Sequence, residues 1–513
     1  MTARKLVLCV VDSLRTDKLQ RAVAGGVAPT FASLLERGTL VEDCVASFPS
    51  VTPVCTSEIT TGEGPDRHWI SGMNWYHRAE RRYVEYGSSF EATRAFGLFR
   101  SLYDTVYNMN LAHLSDEVET VFERLGDHGV RTACTPFLIY RGRTRHEMGL
   151  EGLLRRVAVA ASFRHATWGP DELFYGELYS SRRVPCKPTL ARPGTRDEYS
   201  ACCGRELVEH DLYDFLLFSL PDNDYHSHKH GPDAQPDSIA HADAALGELI
   251  EASGGLEAFL ERNAMIVVAD HAQTDVSEPL ALSEILGADW TVLQPNQADP
   301  GSAELAVSPS ARAAAIYVLA GGPAGVRAHH AVRERLRKLD GVDLCAWLEV
   351  DGAPLLRDAI PGPPPPRAEA VVARAGTTLR FRPGARPLDC RDRGWHVAGD
   401  LAALEADRNG DRLEFPEYPD ALARLWSALS APHAGEVVVS LAPGYECVDW
   451  GGAHHCPGGS HGSLAAGDSL VPLLLCGLVA GIAKRRAQWS TRDVAGLVTA
   501  YFGGQRAAGG AAR

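Results

Sequence analysis

Three apolar runs in this 513-residue sequence end in residues able to hold a metal ion. VVDSL places Asp12 at the end of the first, LFSLPDNDYHSHKHGP places Asp224 and His228 just past another, and IVVADHAQ places Asp270 and His271 directly after a third. Carboxylates with imidazoles form a hard-to-borderline ligand set that suits Zn²⁺ or Mn²⁺. His461, in GGSHGSLAAGDSLVPLL, is a candidate to complete it. Singly, each has an ordinary explanation. An Asp after a strand is usually a turn former or a helix cap, His226, His228 and His230 read as a solvated loop, and Asp270-His271 as a hydrogen-bonded turn. Their recurrence at three strand ends is what points to metal.

Two divalent ions need about three protein ligands each, with open positions, and commonly flank a nucleophile. FPSVTPVCTSEITTG supplies a hydroxyl: Thr52 precedes Pro53 and a helix-like run. Proline is favoured at the first helical position, so Thr52 is expected at the N-cap, beside free N–H groups and the positive end of the helix dipole. Without the metal ligands around it, Thr52 would be an ordinary cap.

These residues need a scaffold that brings strand ends to one rim. Short, β-branched apolar runs at 5–11, 131–135, 215–220, 265–269, 313–319 and 436–441 read as buried strands. Helical patterns at 28–37, 116–129, 239–251 and 326–339 alternate with them. The alternation predicts an α/β fold, a largely parallel sheet with helices on both faces. Ligands of such sheets bind beyond the carboxyl ends of the strands. Residues 1–295 are expected to form the main core, with a lid-like elaboration over about 74–200. Residues 296–435 read as a smaller inserted α/β subdomain carrying the proline run PGPPPP, 436–502 as a return to the core, and 503–513 as a disordered tail.

Composition is that of a globular protein, with 45% hydrophobic and 23% charged residues, which excludes a disordered chain or a coiled coil. Sixty-five acidic against 51 basic residues give a net charge of −14, which argues against a nucleic-acid or anionic-membrane partner. The apolar run near the start breaks at Asp12, too soon for a secretory signal, and no run is long enough to span a bilayer. A cytoplasmic protein is therefore expected. Its 12 cysteines lack a C-x-x-C pair and read as reduced core residues.

The motifs VVDSL, FPSVT with its helix ending in TTG, D-x-x-x-H-x-x-G-P, ADH and SHGSL-x-x-x-D-x-x-VPL, in that order, resemble the alkaline phosphatase superfamily. Within it the sequence is most similar to the nucleotide pyrophosphatase/phosphodiesterase branch. STRDVAGLV, at 490–498, resembles the helix that follows the last ligand in these enzymes. The resemblance implies one metal on Asp224, His228 and His461, and a second on Asp12, Asp270 and His271 with the Thr52 oxygen facing it as nucleophile. Asp222 and His226 share the D-x-x-x-H spacing, but Gly231-Pro232 follows the Asp224–His228 pair in the right register. Asn74, in HWISGMNWY, resembles the asparagine that binds a non-bridging phosphoryl oxygen.

The implied activity is hydrolysis of a phosphodiester or nucleotide pyrophosphate, a small molecule, through a covalent threonine intermediate and two ions, Zn²⁺ before Mn²⁺. A phosphomonoesterase, a phosphonate hydrolase and an inactive metal-binding scaffold stay open as alternatives. A sulfatase does not, because the sequence around Cys55 lacks C-x-P-x-R. Two features depart from the family: Pro53 has no N–H to offer the transferred oxygen, and Cys55 stands where the phosphodiesterases often carry Asn.

Overall fold

The computed structural model describes residues 5–148, 165–176, 178–187, 195–297, 301–357, 362–451, 454–478 and 486–510. Its first sheet has eight strands in the order Gly38–Val45, Leu470–Cys476, Asn263–Val268, Lys5–Val11, Phe215–Leu220, Thr132–Cys134, Glu172–Tyr175, Tyr179–Ser180. The five strands from Asn263–Val268 to Glu172–Tyr175 are mutually parallel. Leu470–Cys476 runs antiparallel to its neighbours on either side. Lys5–Val11 is buried at every position but the first, as a strand covered on both faces must be. Helices Thr195–Glu209 and Gln235–Glu251 pack against each other, and helix Asp493–Gly510 packs on Thr52–Thr61 and Val121–Asp127.

The second sheet has ten strands, and it corrects one strand placement. The run at 436–441 does not return to the parallel core but joins the run at 313–319 of the inserted region. They form Ala313–Val318 and Val437–Leu441, which pair antiparallel, and Val437–Leu441 also pairs antiparallel with Val342–Val350. The physical reason is double burial. Val438 packs into one apolar cluster with Leu422, Leu425 and Leu429, whereas Val437 and Val439 pack into another with Val332 and Leu336. An antiparallel strand covered on both faces has the same continuous apolar sequence as a parallel one.

A small three-stranded sheet carries the link between the large ones. Thr274–Leu280, which follows Asp270-His271, pairs with Gly444–Cys447 and with Gly458–Ser460, which precedes His461. That pairing brings two distant ligand segments together. Two further expectations change. Cys186 and Cys202 form a disulfide, so not all cysteines are reduced. The final helix continues as far as Gly510, where a tail from residue 503 was expected, and residues 511–513 lie outside the described residues. The proline run begins at Pro361, also outside them, and residues 362–366 follow as irregular chain. No described helix is long and apolar enough to cross a membrane.

Candidate active site

Asp12 follows the Lys5–Val11 strand, its N–H held by the carbonyl of Leu220 at 3.0 Å on the neighbouring strand. Asp270 and His271 follow the parallel strand on the other side, so their side chains meet Asp12 at the same rim. Asp224 and His228 lie one turn apart on helix Asp222–His230, which replaces the solvated loop expected there. Their contact, His228 Nε2 to Asp224 Oδ1, is 3.3 Å. The alternative register is placed elsewhere. Asp222 accepts from the backbone N–H groups of Arg196 and Asp197, and the His226 ring packs on His230.

Thr52 is the first residue of helix Thr52–Thr61, and Val51, not Thr52, occupies the N-cap. The difference matters chemically. A capping hydroxyl would be tied to the backbone, whereas Thr52 Oγ1 is turned to Nε2 of His271 at 3.1 Å. The helix is seated by Glu58, almost wholly buried, which accepts from Thr491 Oγ1 at 2.5 Å and Arg492 Nε at 2.8 Å. Pro53 sits in its first turn without an N–H, and Cys55 is fully buried with its thiol pushed well up by burial.

The donor atoms converge into two groups of three, each within 4.8 Å of one another: Asp12, Asp270 and His271, and Asp224, His271 and His461. The first is the set expected for one ion. In the second, His271 stands beside Asp224 and His461, and His228 joins through Asp224. His461 Nε2 is 3.8 Å from Asp224 Oδ1, and the His461 ring stacks on His271 with centroids 3.7 Å apart. Nδ1–H of His461 donates to the Ser50 carbonyl at 2.8 Å, and that of His228 to the Gly459 carbonyl at 2.7 Å. Each bond leaves Nε2 as the free lone pair, the arrangement metal-ligating histidines use.

Do these residues fit a cation? Asp12 Oδ1 and Asp270 Oδ2 are buried with no hydrogen-bond partner among the described residues, and they lie 3.8 and 3.4 Å from His271 Nε2. Burial, with the carboxylates of Asp270 and Asp224, pushes Asp12 well above the usual carboxylate range. Burial likewise pushes Asp270 up to about 7 and His271 down to about 4. Burial would raise Asp224 too, but His228 and the other imidazoles outweigh it and hold it well below. Crowded carboxylates, orphaned oxygens and the His271 and His461 imidazoles, both held below the usual range by burial, describe a place that bound cations would satisfy.

The site opens into a cavity of about 1250 Å³ lined by Asp12, Thr52, Asn74, Asp224, His228, Asp270 and His461. Asn74 stands opposite Glu85 in the hairpin Asn74–His77/Arg82–Glu85 and donates Nδ2 to Glu85 Oε2 at 3.1 Å. Its Oδ1 is buried without a partner among the described residues. Tyr86, Phe96, Phe137, Tyr175 and Tyr199 form an aromatic wall, with Arg196 and Lys229 as cations at the cavity.

Sequence reasoning missed several neighbours. Ser13 donates to Asp224 Oδ1 at 2.6 Å and Gln273 Nε2 reaches the same oxygen at 2.5 Å. The His455 ring stacks on His228 at 3.7 Å between centroids, with Nδ1 held by Glu446 at 2.5 Å. The crowding of histidine in HHCPGGSHG was a visible signal for His455, whereas nothing in the spacing marked Ser13 or Gln273.

A parallel sheet whose rim gathers this ligand set around a helix-borne threonine defines a member of the alkaline phosphatase superfamily. A model of the type I phosphodiesterase/nucleotide pyrophosphatase family matches residues 6–464, and the chain belongs to that family, whose enzymes hydrolyse phosphoric esters and are generally dependent on divalent metal. Among solved structures it is similar to phosphonoacetate hydrolase from Sinorhizobium meliloti 1021 in complex with phosphonoformate, with 14% identity, 97% of this chain and 95% of that one covered, and a TM-score of 0.55. Murine ectonucleotide pyrophosphatase/phosphodiesterase 5 is 13% identical over 96% of this chain and 94% of its own, with a TM-score of 0.53. Its inactive form in complex with AMP is 12% identical, covers 98% and 95%, and has a TM-score of 0.54. Curated proteins give no match to the sequence.

Proposed function

We propose that this protein hydrolyses a phosphodiester or nucleotide pyrophosphate by in-line attack of Thr52 on phosphorus, with two divalent ions, Zn²⁺ before Mn²⁺, in the paired site. The observation that carries the reading is Thr52 Oγ1 at 3.1 Å from His271 Nε2, beside the unpartnered oxygens of Asp12 and Asp270. Asp12, Asp270 and His271 would hold one ion, and Asp224, His228 and His461 the other. Such ions, when bound, lower the pKa of a hydroxyl and neutralise charge on entering and leaving oxygens.

The chain's own residues do the rest. The helix dipole and the anchored Glu58 hold the Thr52 oxygen at the rim. Its hydroxyl proton is released and its lone pair forms the new P–O bond as the bond to the leaving alkoxide or phosphate breaks, the departing oxygen taking up a proton, to give a phosphoryl- or nucleotidyl-threonine. Water then attacks the same phosphorus, restoring the Thr52 hydroxyl. Asn74, fixed by Glu85, keeps a second amide N–H for a non-bridging oxygen, a donor that matters more because Pro53 offers none.

Two features support a diester over a monoester. The aromatic wall fits a second, apolar substituent, and the Glu85 carboxyl beside Asn74, pushed above the usual range by burial, repels an extra substrate charge once ionised. A second reading, hydrolysis of a small phosphonate, draws on Arg196 and Lys229, which would receive a substrate carboxylate. A metal-replete enzyme assayed on aryl monoesters, bis-aryl phosphates, nucleotide pyrophosphates and carboxylated phosphonates decides between them. Preference for diesters or pyrophosphates is expected, and preference for monoesters overturns the substrate class.

A further inference from the structure

We propose that Ser13 is a positioning residue that ties the two ligand groups into one unit and fixes His271 with its Nε2 lone pair toward the ions. The inference rests on the two-metal reading. Ser13 directly follows Asp12, is fully buried, and holds a φ of 59°, the left-handed region that glycine enters freely and other residues seldom do. A side chain kept there against that preference has a reason to be there.

Its hydrogen bonds give the reason. The backbone N–H donates to Asp270 Oδ1 at 3.2 Å, and the carbonyl accepts from Gln235 Nε2 at 2.8 Å. The hydroxyl oxygen is 2.6 Å from Asp224 Oδ1, 3.0 Å from Gln273 Nε2 and 3.1 Å from His271 Nδ1. A hydroxyl has one proton and two lone pairs, so three neighbours exhaust it. A carboxylate only accepts and an amide nitrogen only donates, so the proton goes to Asp224 and one lone pair receives Gln273. The last lone pair is left for His271, whose Nδ1 must therefore carry the hydrogen. The Ala272 carbonyl, 3.3 Å from the same Nδ1, requires the same tautomer. Nε2 then presents its lone pair to Asp12, Asp270 and Thr52. One residue thus touches Asp224 of one group and Asp270 and His271 of the other.

The test uses the full chain freed of metal and titrated with Co²⁺, read by ligand-field absorption and by calorimetry. Wild type is expected to take two ions. Ser13→Gly removes the hydroxyl and frees the backbone, so both ions should bind ~10–100-fold more weakly and with an altered spectrum. Its metal-free thermal midpoint should equal or exceed that of wild type, a split that a purely structural role does not give. Ser13→Ala keeps the Cβ and loses only the hydroxyl, so it should weaken binding to the same degree. Wild-type affinity and spectrum in Ser13→Gly overturn the inference. Weakening in Ser13→Gly but not in Ser13→Ala overturns it too, because backbone freedom would then be the cause. Fewer than two ions in wild type overturns the two-metal reading itself.

Discussion

The hydroxyl of Thr52 and the Nε2 of His271, separated by 219 positions in the chain, lie 3.1 Å apart. Thr52 comes from the first turn of a helix and His271 from the end of a parallel strand. The contact is therefore a product of the fold and not of local sequence, and changes to either side make distinct predictions.

Thr52→Ala removes the attacking oxygen and leaves every carboxylate and imidazole in place. Hydrolysis of a bis-aryl phosphate should fall by at least about 10³-fold, whereas elemental analysis should find metal nearly unchanged. Loss of metal in parallel with activity would make Thr52 a ligand first and a nucleophile second.

Chelation should lower stability as well as activity, because ions that bind only the folded chain stabilise it by mass action. At a free ion concentration a hundred times Kd the contribution is about 2.7 kcal/mol, and it should appear as a lower thermal midpoint restored by Zn²⁺ or Mn²⁺. The buried, mutually repelling Asp12, Asp270 and Asp224 make the direction firm.

Acid should destabilise the protein through buried histidines outside the ligand set. Burial pushes His68, His113 and His433 each down to about 3 from an ordinary 6.5. His113 and His433 pack against Trp75, with centroids 5.1 and 4.4 Å away. These groups stay neutral when folded and take up protons when unfolded. Their contribution is present above pH 6.5 and is lost as pH falls toward 3, by about 1.4 kcal/mol per pH unit for each. Urea midpoints between pH 7 and pH 4 check this, and His433→Gln should flatten the slope.

The seat of the nucleophile helix should be sensitive to charge. Arg492→Ala leaves the buried Glu58 with Thr491 as its remaining side-chain donor, and breaking such a pair costs on the order of 3 kcal/mol. Glu58→Gln, which keeps a hydrogen bond and removes the charge, should cost less. Chemical denaturation of the two variants orders them.

Glu85→Gln tests substrate charge. The amide oxygen still accepts from Asn74, its NH₂ turns toward the Ser88 N–H that Glu85 Oε1 receives, and the carboxylate that faces the cavity is gone. The ratio of monoester to diester kcat/KM should rise on the order of tenfold, from about 1.4 kcal/mol of relieved repulsion. An unchanged ratio assigns Glu85 to holding Asn74 alone.

Much of the site was legible because its ligands sit at ends of strands whose apolar runs are unmistakable, as in KLVLCVV and FLLFSL. Those runs reveal burial on both faces and nothing about which sheet a strand joins, which is why Val437–Leu441 was placed in the core instead of beside Ala313–Val318. Helix Asp222–His230 was hidden by its own composition, since DNDYHSHKH has no apolar face, and its fold depends on the tertiary contacts of Asp222 and His228. The Cys186–Cys202 pair bridges 16 positions with no motif around it. Ser13 carries its meaning in a backbone angle, and Thr52 lies one position inside the cap at Val51, although Pro53 pointed to Thr52 as the cap itself. Backbone geometry and long-range pairing leave no local trace in residue order.

The most direct test of the paired metal site is anomalous diffraction at the Zn and Mn edges from crystals of metal-replete enzyme. Two peaks are expected, one among Asp12, Asp270, His271 and the Thr52 oxygen, the other among Asp224, His228 and His461. A single peak, or two peaks with Thr52 outside the coordination of both, would contradict the paired site.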